Sequence, residues 1–291
     1  MRKSFNFGVV FVLFLSLAIL LISCHKDETN SNVNNGDDNG DVEEPSEGGE
    51  GTVFYYDHLI SDAVTDVDGN SYDAVQLGNQ VWMAENLRTT RYPDSTAIPL
   101  KTSTQYTTAA RYVPGQYETN EENMGNIPFY GYLYNWFAVM HGESSSEANP
   151  SGVQGICPDG WHVPSDAEWA QLIDYLATQP RYMASGDSSH LAKALATTWG
   201  WQSSELADAI GNNPSVNNLT NFSSLPAGSY HSHARWFGQT AGYYTATESN
   251  VSDAYYHYLN YFDSGVRSGS YYKYVAMSVR CVRNKQWPEK F

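Results

Sequence analysis

Basic residues and cysteines are both scarce in this chain. Its 291 residues include 16 lysines and arginines against 32 aspartates and glutamates, and three cysteines. Nucleic acids and anionic membrane surfaces bind proteins through clustered basic side chains, so this balance argues against both kinds of partner. We also find no Gly-x-Ser-x-Gly, no His-Glu-x-x-His and no glycine-rich phosphate loop. The familiar motifs of hydrolases, zinc proteases and nucleotide-binding proteins are therefore missing.

Long apolar runs are rare as well, and the longest stands near the N-terminus, at residues 7–23. Two basic residues precede it, and a basic start with a short apolar core is typical of a secretion signal. The string Leu21-Ile22-Ser23-Cys24 resembles the bacterial lipobox, in whose precursors the cysteine receives lipid and begins the mature protein. We expect residues 1–23 to be a lipoprotein signal peptide and Cys24 to be lipidated. The alternative is an uncleaved membrane anchor, because the run is close to the shortest that spans a bilayer.

Residues 24–52 contain no aromatic side chain, and they carry nine acidic residues against one basic residue. Such a segment cannot bury enough apolar surface to offset the entropy lost on ordering, so we expect a disordered acidic tether. Its acidic start resembles the export signal of Bacteroidota surface lipoproteins. We therefore expect a protein that is attached to the outer membrane by its lipid and faces the cell exterior. The alternative is a plain spacer.

The remainder, residues 53–291, carries 23 acidic and 13 basic side chains, and no repeat or low-complexity stretch divides it. A segment of this length suits a single domain with a sizeable core. Tyrosine is abundant, with 22 copies in the chain. Tyrosines favour strands, and their flat amphipathic faces also suit sugar and protein partners. We expect one domain in which most tyrosines are structural.

Two cysteines, Cys157 and Cys281, remain in this domain. Exported proteins fold in an oxidising compartment, where two thiols of one domain usually pair, so we expect a disulfide between them. The rival interpretation is a nucleophilic cysteine that uses His162, nearby in sequence, as its base.

The first half of the domain contains turn signals and a helix start. The dipeptides Asp68-Gly69 and Gly78-Asn79 predict a meander of three strands. The string "DVDGNSYD" partly resembles a calcium loop, but the positions of its glycine and of the final ligand do not fit, so we favour a hairpin turn. Ser165 and Glu168 form a capping box, and the apolar residues that follow predict a helix ending near Pro180. Glu168 is then committed to the helix terminus rather than to catalysis.

The second half is expected to be rich in strands. A weaker apolar period predicts a second helix over residues 189–197. Alternation predicts strands at 241–249, 254–262 and 272–284, with "RSGS" as a turn. Four residues of the last strand should share one face: Val275, Met277, Val279 and Cys281.

The remaining stretches are less regular. Residues 88–128 are expected to form long surface loops, and "GYLYNWFAVM" a short buried helix or strand. Together the patterns predict an α+β fold with mostly antiparallel sheet, two helices and long loops.

Five strings resemble, in this order, those of the Fibrobacter succinogenes major paralogous domain: "DVDGNSYDAVQLGNQVWMAENLRT", "YGYLYNW", "CPDGWHVPSDAEWAQL", "LPAGSY" and "SVRCVRN". The resemblance covers about residues 64–284. Two strings, "VPSDAEW" and "VRCVR", also resemble formylglycine-generating enzymes, whose fold belongs to the C-type lectin-like class. The resemblance therefore implies a C-type lectin-like fold. In such folds one disulfide commonly ties a helix to the final strand, which fits Cys157 and Cys281.

The resemblance does not bring an activity with it. Formylglycine-generating enzymes use a pair of reactive cysteines near the C-terminus, where this chain has Cys281 alone. Calcium-dependent lectins use Glu-Pro-Asn or Gln-Pro-Asp together with Trp-Asn-Asp, and none of these strings occurs. His231 and His233 lack a third metal ligand nearby, so we interpret them as exposed loop histidines. We expect no enzyme activity, no metal and no cofactor.

For function, the sequence favours a non-enzymatic surface module that binds an extracellular glycan or protein. Two alternatives stay open: a secreted enzyme that acts on polysaccharide through a carboxylate pair, and a structural component of a surface layer or appendage. The stretch "SYHSHARWFGQTAGYY" combines aromatic faces with hydrogen-bonding groups, as a ligand surface requires. The candidate ligand-binding residues are Arg235, Trp236, Gln239 and Tyr243. The alternative is that Trp236 and Phe237 only anchor this loop on the core.

Overall fold

The computed structural model describes residues 58–115 and 123–284, which all belong to one unit running from Thr52 to Phe291. The expected signal peptide, the lipidated Cys24 and the acidic tether lie outside the described residues and stay predictions. Within the described ranges, no helix has both the length and the apolar composition that crossing a membrane requires.

Short strands and short helices alternate along the described chain. The strands are β1 Leu59–Thr65, β2 Ser71–Leu77, β3 Gln80–Met83, β4 Arg111–Tyr112, β5 Leu133–Asn135, β6 Trp161–His162, β7 Ser229–Tyr230, β8 Ala234–Arg235, β9 Thr240–Glu248, β10 Asp253–Asn260, β11 Arg267–Tyr272, β12 Ala276–Met277 and β13 Val282–Arg283. The α-helices are α1 Ile127–Tyr130, α2 Trp136–Met140, α3 Asp166–Ala177 and α4 Ala192–Leu195. Four single 3-10 turns lie at Met124–Asn126, Pro180–Tyr182, Ala184–Gly186 and Pro214–Val216.

The strands form three sheets, and the named strands pair antiparallel throughout. The first sheet has the order β1-β2-β3-β13-β6, and the middle sheet the order β4-β5-β12-β7-β8. The C-terminal sheet has the order β11-β10-β9. Strand β13 pairs with both β3 and β6, since Val282 faces Trp82 on one side and His162 on the other. The expected mostly antiparallel architecture is confirmed at this level, although the described residues contain four α-helices where two were expected.

The meander predicted at the start of the domain is present as β1, β2 and β3. Asp66 closes the first turn, because its carboxylate accepts hydrogen bonds from the backbone N–H groups of Asp68 and Asn70, both at 2.9 Å, and from the Tyr72 hydroxyl at 2.6 Å. These donors satisfy the carboxylate without a cation. Among the described residues, no group of three or more histidine, cysteine, aspartate or glutamate side chains is arranged to hold a metal ion.

Helix α3 begins where the capping box predicts. Ser165 Oγ accepts from the Glu168 N–H at 3.2 Å, and Glu168 Oε2 accepts from the Ser165 N–H at 3.0 Å. The apolar stripe that follows is buried, with Trp169, Leu172 and Leu176 all fully enclosed. The helix ends at Ala177, shortly before the proline that was expected to stop it.

The second predicted helix is much shorter than residues 189–197. It comprises four residues, α4, although Leu191 and Leu195 are buried as its period suggests. Ala196 turns to extended backbone and bridges Ser224, and the Thr197 N–H donates to the Ser224 carbonyl at 3.0 Å. Pairing with a distant segment therefore ends the helix early.

The segment "RSGS", expected as a turn, is instead part of strand β11. It pairs with β10, where Gly269 lies opposite Tyr256. A Cβ at residue 269 would stand 3.3 Å from the Tyr256 ring, so the glycine leaves room for that ring to lie across the strand. The expected strand 272–284 is broken into β12 and β13, and "GYLYNWFAVM" contains both strand β5 and helix α2.

The predicted disulfide is confirmed. Cys157 and Cys281 are bonded, with their Cα atoms 5.9 Å apart, and both are fully buried. Cys157 lies in a turn before β6 rather than in a helix, so the bond ties that turn to the start of the last strand. The nucleophilic-cysteine interpretation is wrong, because the sulfur is already bonded. The alternation of the last segment is also confirmed, since all four residues of its predicted face lie in one core cluster.

Candidate functional site

A cleft of about 350 Å³ opens beside the C-terminal sheet. The C-terminal sheet lines one side with residues of β9, β10 and β11, and the other lining residues come from β7, the turn after β8 and β12. Its lining residues are Gly228, Ser229, Trp236, Gln239, Thr240, Gly242, Tyr256, Tyr258, Asn260, Phe262, Tyr271 and Met277. Within the described chain none of these lining residues carries a formal charge at neutral pH, so the cleft suits an uncharged ligand.

Trp236 stands at the mouth of this cleft in an unusual backbone conformation. Its φ is 55°, a left-handed value that bulky side chains rarely adopt, and its side chain is 48% exposed. The N–H groups of Gln239 and Thr240 both donate to its carbonyl, at 2.9 and 3.1 Å. Gly228 permits this turn, because a Cβ there would stand 2.2 Å from the Arg235 carbonyl oxygen. A strained, exposed tryptophan held by its surroundings is typical of a functional position.

Tyrosine rings line the side that the C-terminal sheet forms. Tyr256 and Tyr258 stack with their ring centroids 5.1 Å apart, and Tyr271 packs against Tyr256 at 6.0 Å. Burial, together with the neighbouring Tyr258 and Tyr271, raises the pKa of Tyr256 to about 12. Its hydroxyl therefore stays protonated at neutral pH and can donate a hydrogen bond.

Side-chain amides add hydrogen-bonding groups to the cleft. Asn260 Nδ2 donates to Thr240 Oγ1 at 3.2 Å, whereas Asn260 Oδ1 is buried and has no hydrogen-bond partner among the described residues. An unpaired buried acceptor costs free energy, so a water or a ligand hydroxyl entering the cleft would stabilise it. Gln239 also lines the cleft and immediately precedes Thr240, the β9 residue that pairs with Asn260.

The four residues predicted to bind ligand do not lie together. Trp236 and Gln239 line the cleft, and Arg235 is exposed on β8 without lining it. Tyr243 is fully buried, since its ring stacks on Trp169 at 5.5 Å and its hydroxyl lies 2.7 Å from Ser224 Oγ. Tyr243 is therefore a core residue, and we leave it out of the proposed surface.

Phe237, rather than Trp236, anchors the loop between β8 and β9 on the domain. Phe237 is half-buried and packs against Tyr130 with ring centroids 4.7 Å apart.

Sequence reasoning missed Tyr256, Tyr258 and Asn260, although they alternate along "AYYHYLNYF" and thus share one face. The neighbours between them, His257 and Leu259, are buried on the other face.

Among the described residues, no third potential metal ligand groups with the two histidines of the β7–β8 turn. They are also less exposed than expected. His231 Nε2 lies 3.3 Å from the Tyr274 hydroxyl, and His233 lies next to Ser232 Oγ at 3.0 Å. Both side chains are half-buried. We interpret them as packing residues of this turn.

A second cleft, of about 320 Å³, lies elsewhere on the domain and has a different character. Asp73, Glu85, Phe129 and Trp199 are among its lining residues. Phe129 and Trp199 are 63% and 49% exposed and meet edge to face at 6.3 Å. Glu85 Oε2 accepts from the Asp73 backbone N–H at 3.2 Å, and the Asp73 carboxylate accepts from the Asp62 N–H at 2.9 Å.

Comparison with known proteins identifies one relationship. The family model of the Fibrobacter succinogenes major domain matches residues 75–283, which include both walls of the cleft and the disulfide. No curated protein and no solved structure matches the chain. The match covers well over half of the sequence. The chain therefore belongs to the Fibrobacter succinogenes major domain family.

Proposed function

We propose that this protein is a non-enzymatic surface module that binds an extracellular glycan in the cleft beside the C-terminal sheet. The observation that carries the proposal is the exposed, left-handed Trp236, which lines the same cleft as three tyrosines and no charged residue. A sugar ring has apolar faces that pack on aromatic rings and hydroxyls that pair with amides and phenols. Such a cleft offers both kinds of group.

Replacing Trp236 by alanine tests this proposal. Buried aromatic anchors commonly contribute at least 2 kcal/mol to binding, so we expect Trp236→Ala to weaken oligosaccharide binding by about 30-fold. Calorimetry with the full chain in detergent and a panel of neutral oligosaccharides measures it. Trp199→Ala is a matched control, because Trp199 is 49% exposed against 48% for Trp236 but lies in the other cleft. Equal binding by parent and folded Trp236→Ala would contradict the proposal, and binding of a protein instead of any glycan would redirect it.

The location of the protein is a further part of the proposal. Supported by the lipobox-like string at Leu21 to Cys24, we place it in the outer membrane, lipid-anchored and facing the exterior. Cys24→Ala should abolish incorporation of labelled fatty acid, and undiminished labelling would contradict the lipid anchor. Protease treatment of intact cells tests orientation separately, since a fully protected domain would argue against the outer face.

We also propose that the fold is of the C-type lectin-like class. Two features support it: a capped helix, α3, follows the turn that contains Cys157, and one disulfide joins that turn to the final strand. An experimental structure compared with members of that class tests this assignment. A different strand order around the last strand would contradict it.

One observation favours a second candidate function, an enzyme that acts on polysaccharide. Asp73 and Glu85 both line the second cleft, which the exposed rings of Phe129 and Trp199 also line. Paired carboxylates are what glycoside hydrolysis requires. Release of reducing ends from a polysaccharide, abolished by Glu85→Gln and retained by Trp236→Ala, would support the enzyme. Saturable binding without product would support the binding module. If neither product nor binding is observed, the structural role in a surface layer is the remaining candidate.

A further inference from the structure

A row of six tyrosines crosses the region from the loop before β4 to the cleft. In spatial order they are Tyr106, Tyr274, Tyr272, Tyr271, Tyr256 and Tyr258. Each ring neighbours the next, at centroid distances of 4.7, 5.1, 5.6, 6.0 and 5.1 Å. We call this row the tyrosine ribbon. Its tyrosines come from three separate parts of the chain, so folding, rather than adjacency in the sequence, brings the rings together.

The tyrosine ribbon reaches solvent along its length. Tyr106 is 64% exposed and Tyr272 is 47% exposed, and the other four rings are half-buried. Its inner end, Tyr256 and Tyr258, is the wall of the cleft that contains Trp236. Contiguous exposed aromatic surface of this kind is uncommon on soluble proteins unless it binds something.

Two cations near the ribbon are paired within the protein. Lys273 Nζ lies 2.6 Å from Glu248 Oε2, and Arg267 makes a two-point contact with Asp263 at 2.7 Å for both bonds. Asp253, opposite Tyr272 on β10, has no ion-pair partner among the described residues. A surface whose cations are paired and whose unpaired charge is negative does not attract an anionic polymer, because charge complementarity is what steers such ligands. A neutral chain with repeating apolar faces fits the ribbon better than a protein patch of mixed charge.

We propose that the tyrosine ribbon is an extended set of subsites and that the ligand is a neutral polysaccharide chain spanning several sugar units. This inference rests on the proposed glycan-binding function and specifies its ligand. Trp236 and the tyrosines of the cleft hold one end of the chain. Tyr271, Tyr272, Tyr274 and Tyr106 then contact successive units beyond it.

A length series of neutral oligosaccharides, from disaccharide to hexasaccharide of one linkage, tests the ribbon. With the full chain in detergent, we expect affinity to rise with length in whichever linkage series binds. Tyr272→Ala and Tyr106→Ala should bind the hexasaccharide about fivefold to tenfold more weakly and the disaccharide as the parent does. Trp236→Ala should weaken binding of every length. Tyr255→Ala is the matched control, because Tyr255 is exposed on the same sheet and lies outside the ribbon.

The outcomes separate the two proposals. If the parent binds but its affinity does not change with length, or if both ribbon variants bind the hexasaccharide as the parent does, the ribbon is not a set of subsites and the cleft alone binds. If the parent binds no member of any linkage series, the glycan-binding function and the ribbon fail together. Circular dichroism of each variant checks that the fold is retained. Two ribbon positions far apart in sequence are tested, so that the result does not depend on a single variant that could misfold.

Discussion

At the scale of single residues, Arg280 is a charged side chain that requires many hydrogen bonds because it is buried in the domain. It is almost fully buried, and burial lowers the pKa of its guanidinium from the ordinary value. Its donors reach Asn86 Oδ1 and the carbonyls of Met83, Phe222 and Ser223, at 2.6 to 2.8 Å. Its charge is therefore stabilised mainly by oriented dipoles, and it connects the last segment to two distant loops.

Replacing Arg280 by methionine should lower the free energy of unfolding by about 3–5 kcal/mol, because three carbonyls and one amide oxygen lose their donor inside the core. Urea unfolding followed by tryptophan fluorescence measures it. Arg267→Met is the control, since Arg267 is 53% exposed and its ion pair with Asp263 should contribute less than about 1 kcal/mol. Similar losses of unfolding free energy in the two variants would contradict the argument that the buried hydrogen bonds of Arg280 stabilise the fold.

Individual site residues were only partly predictable from the sequence. Composition marked Trp236 and Gln239 as ligand-binding, because aromatic and amide groups in an irregular stretch suit a binding surface; both line the cleft, and their role in binding stays a prediction. Tyr243 was misplaced by strand parity. Thr240 and Gly242 line the cleft. Side chains alternate along a strand, so Tyr243, the residue after Gly242 in β9, points to the core. No local pattern reveals that parity, because it is set by pairing with β10.

At the scale of elements, the start of helix α3 joins several parts of the domain. Glu168 Oε2 accepts from the Ser151 N–H at 3.0 Å as well as from the capping Ser165. Its other oxygen lies 2.6 Å from His162 Nε2, and His162 Nδ1 lies 2.7 Å from Asn284 Oδ1. The helix terminus is thus tied to strand β6 and to the residue after β13.

Removing the cap tests how much this terminus contributes. We expect Ser165→Ala to lower the free energy of unfolding by about 1 kcal/mol, within a range of roughly 0.5–2, because the Glu168 N–H loses its acceptor. Thermal or urea unfolding measures the change. Thr178→Ala, at the exposed other end of the same helix, removes a hydroxyl that bonds the Tyr175 carbonyl and should have little effect. An effect at residue 178 as large as at residue 165 would contradict the capping argument.

Elements with local causes were predictable, and elements with distant causes were not. The meander and α3 follow from turn dipeptides and a capping box, which act within a few residues. Helix α4 is short because Ala196 pairs with Ser224, and "RSGS" is a strand because it pairs with β10, where Tyr256 lies opposite Gly269. Both causes lie in another part of the chain, where a local pattern carries no information.

At the scale of the whole molecule, the disulfide closes the largest covalent loop in the domain. It joins positions 124 residues apart. Strand β9, strand β10, helix α3 and the cleft all lie inside this loop. The bond therefore restricts the unfolded chain far more than it restricts the folded one.

Replacing Cys157 and Cys281 together by alanine should lower the free energy of unfolding by up to about 4–5 kcal/mol, the chain-entropy value for a loop of this size. Urea unfolding of the double variant and of the parent measures it. Intact mass of the parent before and after reduction should rise by two hydrogens, with no free thiol beforehand. Two alkylated thiols in the unreduced natively exported protein would contradict the bond.

The position of strand β13 has a consequence for the kinetics of biogenesis. The strand lies between β3 and β6, so an interior strand of the first sheet comes from the last described residues. An exported chain leaves its channel from the N-terminus, and β3 and β6 therefore emerge before the strand that fills the gap between them. Until it arrives, both present open edges that pair readily with other chains. On the proposed export route, the time between the emergence of β6 and that of β13, more than the stability of the finished domain, then sets how long these edges stay open.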